Sequence, residues 1–205
     1  MKIPSCLLWS LSVALVAAAA SAQEPTPATK AVPAQKIVPM AAKPGAAAGM
    51  KLLETGATAP DFVSNDPSSQ PVRLASLKGK VVVLDFWATW CGPCQKSLPH
   101  TQAVAKKFKD QGLVVLACCT SDTRAKFDEW VKTSQATYPD IKFTCDPCER
   151  GSANYDDRAS KKLYGVAGIP TQFIIGRDGK IAGVLVGYSD GDVRLEACLA
   201  TAGVK

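Results

Sequence analysis

The chain has 205 residues, 47% of them hydrophobic, with eight cysteines and 24 basic against 18 acidic residues for a formal charge of +6. That suits one globular domain with sequence left over at an end. The positive charge is diffuse, its densest cluster being Lys106-Lys107 with Lys109. It reads as a solvated helix face and argues against a polyanion-binding protein.

The surplus lies at the start. After Lys2 an apolar run extends from Cys6 to Ala20 and closes with Ala20-Ser21-Ala22 before Gln23, the small-x-small pattern of a signal-peptidase site. A run of about 15 residues is short for a membrane span, which needs about 20. Residues 1–22 are therefore expected to be a cleaved export signal, with an uncleaved anchor as the alternative and the only route to membrane contact. Export to a periplasmic or extracellular compartment leaves seven cysteines where disulfides persist. An odd number leaves at least one thiol free, transient or intermolecular. Residues 23–54 are mostly Ala, Pro and Lys without an apolar period, and read as a semi-stiff tether ahead of a domain over 55–205.

Within the domain, VVVLDFW at Val81 to Trp87 is an apolar, β-branched run of the kind buried on both faces of a sheet. An amphipathic helix follows from Cys94 to Gln111 and is ended by Gly112. Leu113 to Cys119 reads as a second buried strand. Thr123 to Gln135 reads as a helix with Phe127, Trp130 and Val131 on one face. Thr171 to Gly176 and Lys180 to Gly187 flank Arg177-Asp178-Gly179 as a hairpin, and a last helix spans about Asp190 to Ala202. The order implies an α/β fold, a mixed sheet covered by helices on both faces.

Cys91 and Cys94 stand two residues apart in WATWCGPCQ, between a buried strand and the first turn of a helix. Unpaired N–H groups and the helix dipole there favour a thiolate and lower the pKa of Cys91. Pro93 suits a helix start, and Gly92 admits a partner chain close to the sulfur. Cys94, about one turn on, is placed to attack a mixed disulfide on Cys91. A zinc clip needs two more soft ligands, and the next close pair begins 51 residues beyond Cys94, far from the spacing of about 15 to 20 usual in ribbon sites. A purely structural bridge across two residues stabilises little through the unfolded chain. Redox exchange is the remaining reading, and it needs no metal, nucleotide or flavin.

VVVLDFWATWCGPCQKSLP, followed about 75 residues later by GIPTQFII, resembles the thioredoxin superfamily. GATAPDF, LASLKGK and an insertion between Thr120 and Gly165 resemble its exported TlpA/ResA-like thiol-disulfide oxidoreductases, with a redoxin-type domain. The resemblance implies a thioredoxin-like fold carrying its insertion before the cis-proline strand, Cys91 as nucleophile and Cys94 as resolving thiol. It further implies a helix kinked at Pro99, a cis Pro170 beside the disulfide, and an Ile169 backbone that pairs with a substrate strand. Asp85 matches a buried carboxylate that helps move the proton of Cys94; burial raises its pKa. The bland reading of Asp85 is a hydrogen-bonded polar residue near a strand end. Gly92-Pro93 sides with thioredoxin proper and implies a potential on the order of −270 mV rather than the roughly −120 mV of a strong oxidant. The partners would be disulfide-containing proteins and an upstream thiol donor.

Peroxidase is the nearest enzymatic rival, but Leu84 and Ala88 stand where its motif needs Pro and Thr before the cysteine. A non-catalytic scaffold that recognises partners through Trp90 and the insertion is the alternative from another class. Trp90 is expected half exposed as an apolar platform, Trp87 and Trp130 in the core, and His100 on a helix surface. Cys145 and Cys148 read as a local disulfide bracing the insertion or as a second redox pair. One of Cys118 and Cys119 is expected as a core thiol and the other as a partner bonded to Cys145 or Cys148, and Cys198 as a small buried hydrophobe.

Overall fold

A computed structural model describes residues 51–205, and the expected export signal and most of the expected tether lie outside them. The run Val81–Trp87 forms strand β3, and all seven of its side chains are buried. Apolar side chains on both faces allow this only at the centre of a sheet covered on both sides. Leu113–Cys119 (β4) lies parallel to one edge of β3, and Thr171–Ile175 (β6) lies antiparallel to the other. Ile141–Cys145 (β5) continues the parallel side and Ile181–Val186 (β7) the antiparallel side. With Val63–Asn65 (β1) and Pro71–Arg73 (β2), the seven strands run in the order β2-β1-β5-β4-β3-β6-β7.

Alternation along β3 sorts the core into two layers. Val81, Val83 and Trp87 point to the side of helices α1 (Gly92–Phe108), α2 (Arg124–Ser134) and α4 (Arg194–Thr201), where they meet Leu98, Phe127 and Leu199. Val82, Leu84 and Phe86 point to the opposite side, packed with Leu74, Leu77, Tyr164 and the four-residue helix α3 (Ala159–Lys162). Phe86, Phe173 and Tyr164 make edge-to-face contacts there, and the Tyr164 hydroxyl donates to the Pro60 carbonyl at 2.7 Å.

The central strands, both long helices and the C-terminal hairpin follow the periodicity. Thr123 caps α2 through its side chain, which accepts from the Lys126 N–H. Gly112, at φ +81°, ends the turn that extends α1. Elsewhere the structure departs from the pattern. The β1–β2 ribbon is too short and polar to show a period; its turn is held by the Asp66 carboxylate accepting from the Gln70 N–H at 2.8 Å. The insertion contributes β5 to the sheet itself. Chain packing starts before residue 55, since Leu52 and Leu53 join the second core layer and the Leu53 N–H donates to the Tyr164 carbonyl. The last helix begins only at Arg194, because Asp192 accepts from the Arg194 amide and guanidinium and draws residues 190–193 into a turn. No helix among the described residues is long and apolar enough to cross a membrane.

Strand β7 passes under α4 at Gly183, where a Cβ would stand 2.6 Å from Cys198 Sγ and 2.9 Å from its Cβ. Cys198 is half-buried, a filler whose sulfur occupies the space glycine leaves. Gly183→Ala should therefore destabilise the protein by about 1–3 kcal/mol in urea titrations. Adding Cys198→Ala to that variant should recover part of the loss.

Candidate active site

The site grows from the end of β3. Beyond Trp87 the chain leaves the sheet, and Thr89 is caught by Asp122 from the segment after β4. Asp122 Oδ2 accepts from the Thr89 N–H at 3.1 Å and its hydroxyl at 2.6 Å, and Oδ1 accepts from the Thr123 N–H. Trp90 then swings outward, half exposed, its indole N–H donating to the Ser121 carbonyl at 3.1 Å, with the Arg150 guanidinium over its ring. Ser121 holds φ +60°, an uncommon backbone state for a residue with a Cβ. The anchor for Trp90 is thus built by the start of the insertion.

Cys91 is the N-cap of α1, and its sulfur accepts from the Cys94 N–H at 3.2 Å. Gly92 and Pro93 form the first helical positions and are exposed, while Cys91 and Cys94 are buried and joined by a disulfide. Pro99 lies inside the helix, where its ring removes one backbone donor. Across from the disulfide the Ile169–Pro170 bond is cis. The Ile169 carbonyl oxygen lies 3.8 Å from Cys91 Sγ. Bonded to Cys94, that sulfur carries no proton, so this is a contact and not a hydrogen bond. The Ile169 peptide makes no backbone hydrogen bond, and Ala167 and Gly168 before it are exposed. A cleft of about 350 Å³ opens there, lined by Trp90, Cys91, Pro93, Ser121, Arg158 and Ile169.

On the α1 side of β3, Asp85 is buried with 1% exposure. Gln172 on β6, its registered neighbour, donates from Nε2 to Asp85 Oδ2 at 3.0 Å, while Oδ1 has no hydrogen-bond partner. Burial pushes the Asp85 pKa up to about 6, against the lowering effect of the Gln172 bond.

Among the described residues, the remaining cysteines are separate thiols. Cys145 ends β5 and is fixed opposite Cys119 by the strand register, both in the α1-side core; Cys118 points into the other layer. Cys148 sits on the following turn, its N–H held by Asp146 Oδ1 at 2.9 Å and its sulfur accepting from Asn154. Register draws Cys145 inward while the Asp146 turn carries Cys148 outward, so the Cys145-Cys148 bridge weighed from the sequence is not formed here. The adjacent Cys145 thiol and burial push Cys119 well above the ordinary thiol range, and burial first does the same to Cys118. His100 is not a free surface residue: Nε2 pairs with Glu196 Oε1 on α4 at 2.8 Å. Trp130 is partly buried against Trp87, their rings 4.6 Å apart. Gln172, Asp122 and Arg158 escaped the sequence reading, although a glutamine inside the apolar run TQFII was a visible anomaly.

A Cys-x-x-Cys disulfide at the N-terminus of a helix, facing a cis-proline loop on a mixed sheet, defines a thioredoxin-fold thiol-disulfide oxidoreductase. Residues 55–184 match the AhpC/TSA family, and the chain belongs to it. It is 32% identical over 140 residues to the thiol-disulfide oxidoreductase ResA of Bacillus subtilis, covering 68% of this chain and 72% of that protein. ResA of Geobacillus thermodenitrificans is 31% identical over 137 residues, 66% of this chain and 71% of the relative. Among solved structures, a Chlorobium tepidum protein described as thiol:disulfide interchange protein DsbE superposes with TM-score 0.61 at 34% identity, covering 73% of this chain and 98% of its own. The exposed lipoprotein thioredoxin of Streptococcus pneumoniae gives 0.55 at 30%, covering 69% and 99%.

Because the folded-state pKa of Asp85 is raised, its proton stabilises the fold fully below the unfolded value and is lost as pH rises through about 6. Asp85→Asn should match the parent in stability at about pH 4 and exceed it by ~3 kcal/mol above about pH 7. Urea midpoints across that range check the sign.

Proposed function

We propose that the mature protein works outside the cytoplasm as a reductase of disulfides in exported partner proteins. The observation that carries this reading is Cys91, set at the helix N-terminus and at the mouth of a cleft roofed by the unpaired Ile169 peptide. Trp90 offers an apolar platform on one wall. The exposed Ala167-Gly168 segment offers backbone groups along which an extended substrate can lie.

Reduced, Cys91 is activated by the Cys94 N–H and the positive end of α1. Its thiolate attacks one sulfur of the substrate disulfide, forming a mixed disulfide and expelling the other substrate sulfur as a thiolate. Cys94 gives up its proton to Asp85, which is ionised above about pH 6. The Cys94 thiolate then attacks Cys91 Sγ, releases the second substrate thiolate, and leaves the Cys91-Cys94 disulfide. Two electrons pass to the substrate, so an upstream thiol donor must reduce the pair again. Export rests on the N-terminal signal pattern and agrees with the description of the pneumococcal neighbour as an exposed lipoprotein. Leu84 and Ala88 at the positions of the peroxidase motif weigh against peroxide chemistry at Cys91.

In an insulin-reduction assay driven by dithiothreitol, Cys91→Ser should abolish turnover, and Cys94→Ser should accumulate a mixed disulfide visible on a non-reducing gel. A Cys91→Ser protein with undiminished biological activity would instead identify a scaffold. Glutathione or dithiothreitol equilibration of the parent should give a potential on the order of −270 mV, and a value well above −200 mV would point to oxidation or isomerisation.

A further inference from the structure

The buried carboxylate of Asp85 has a dedicated partner. Gln172 is the one polar side chain of β6 with its amide turned into the α1-side core. It is 7% exposed, in register with Asp85 on β3. From Nε2 it reaches Asp85 Oδ2 at 3.0 Å and Thr101 Oγ1 on α1 at 3.3 Å. One nitrogen thus ties β3, β6 and α1 together. Ala117 faces Asp85 from β4 and offers no polar group. His100, Tyr188 and Asp192 border the small cleft that Gln172 lines. His100 is paired with Glu196 and Asp192 with Arg194, and none of them bonds to Asp85.

We propose that Gln172 is a positioning residue for the exchange reaction: it binds one oxygen of Asp85, orients the carboxyl, and leaves Oδ1 as the oxygen that takes a proton. The assignment rests on the proton-acceptor reading of Asp85 for its role, but its geometry can be tested without it. A buried carboxylate with a donor on one oxygen is held ionised more readily than burial alone would permit. The free oxygen keeps its lone pairs because Gln172 supplies its donor to the other. Two anchors, Asp85 and Thr101, prevent the amide from swinging away, so the carboxyl is fixed before the thiol loses its proton.

The test is the titration of the Asp85 carboxyl carbon by NMR in the oxidised protein, where neither Cys91 nor Cys94 titrates. Gln172→Leu removes the donor and should raise the midpoint by about one pH unit or more, the size expected for a lost hydrogen bond to a charged group. Gln172→Glu keeps a polar side chain of similar size, and should produce a coupled pair whose upper midpoint lies above the parent's. A folded Gln172→Leu protein with an unmoved Asp85 midpoint, or a Gln172→Glu protein whose two carboxyls titrate independently, would overturn the assignment. The pH profile of insulin reduction by Gln172→Leu should move upward with the midpoint. A midpoint that moves without the profile would leave Gln172 holding Asp85 and remove the proton-transfer reading instead.

Discussion

The site depends on one constraint, the complete burial of β3. Seven consecutive buried side chains leave that strand a single place, between β4 and β6, with a layer of apolar groups on each face. Its C-terminal end therefore emerges at a fixed point, and α1 must start there. Cys91 becomes an N-cap because the strand ends four residues before it and Asp122 holds the intervening turn at Thr89. The same burial places Asp85 inside the core, where its charge is costly and its pKa rises.

Around that strand, the two bonded sulfurs and the groups gathered at the candidate site come from distant parts of the chain. Trp90 is held by Ser121, the cis Pro170 precedes β6, and Gln172 two residues later returns to Asp85. A sheet with β6 antiparallel to β3 brings the cis-proline loop to the same end as the helix N-terminus. The cleft is thus a product of topology, opening where the sheet ends and the Ile169 peptide makes no backbone hydrogen bond. Four other thiols stay out of it: Cys118, Cys119 and Cys145 are buried in the sheet, and Cys148 sits on a turn where burial first, and then the Asp146 carboxylate, disfavour its thiolate.

What the sequence by itself determined is local. The apolar runs located β3 and β4, the helical periods located α1 and α2, and the Cys91-Cys94 spacing next to a strand end pointed to redox chemistry. Each of these rests on interactions between residues close in sequence, so a pattern over 7 to 17 residues carries them. The tertiary structure alone decided which distant side chains meet. The partners of His100, the separation of Cys145 from Cys148, the β1–β2 ribbon and the Gln172–Asp85 bond all follow from strand register and helix docking. Between strands far apart in sequence, such as β3 and β6, register follows from which faces the packed elements bury together, and a short stretch of sequence does not reveal it.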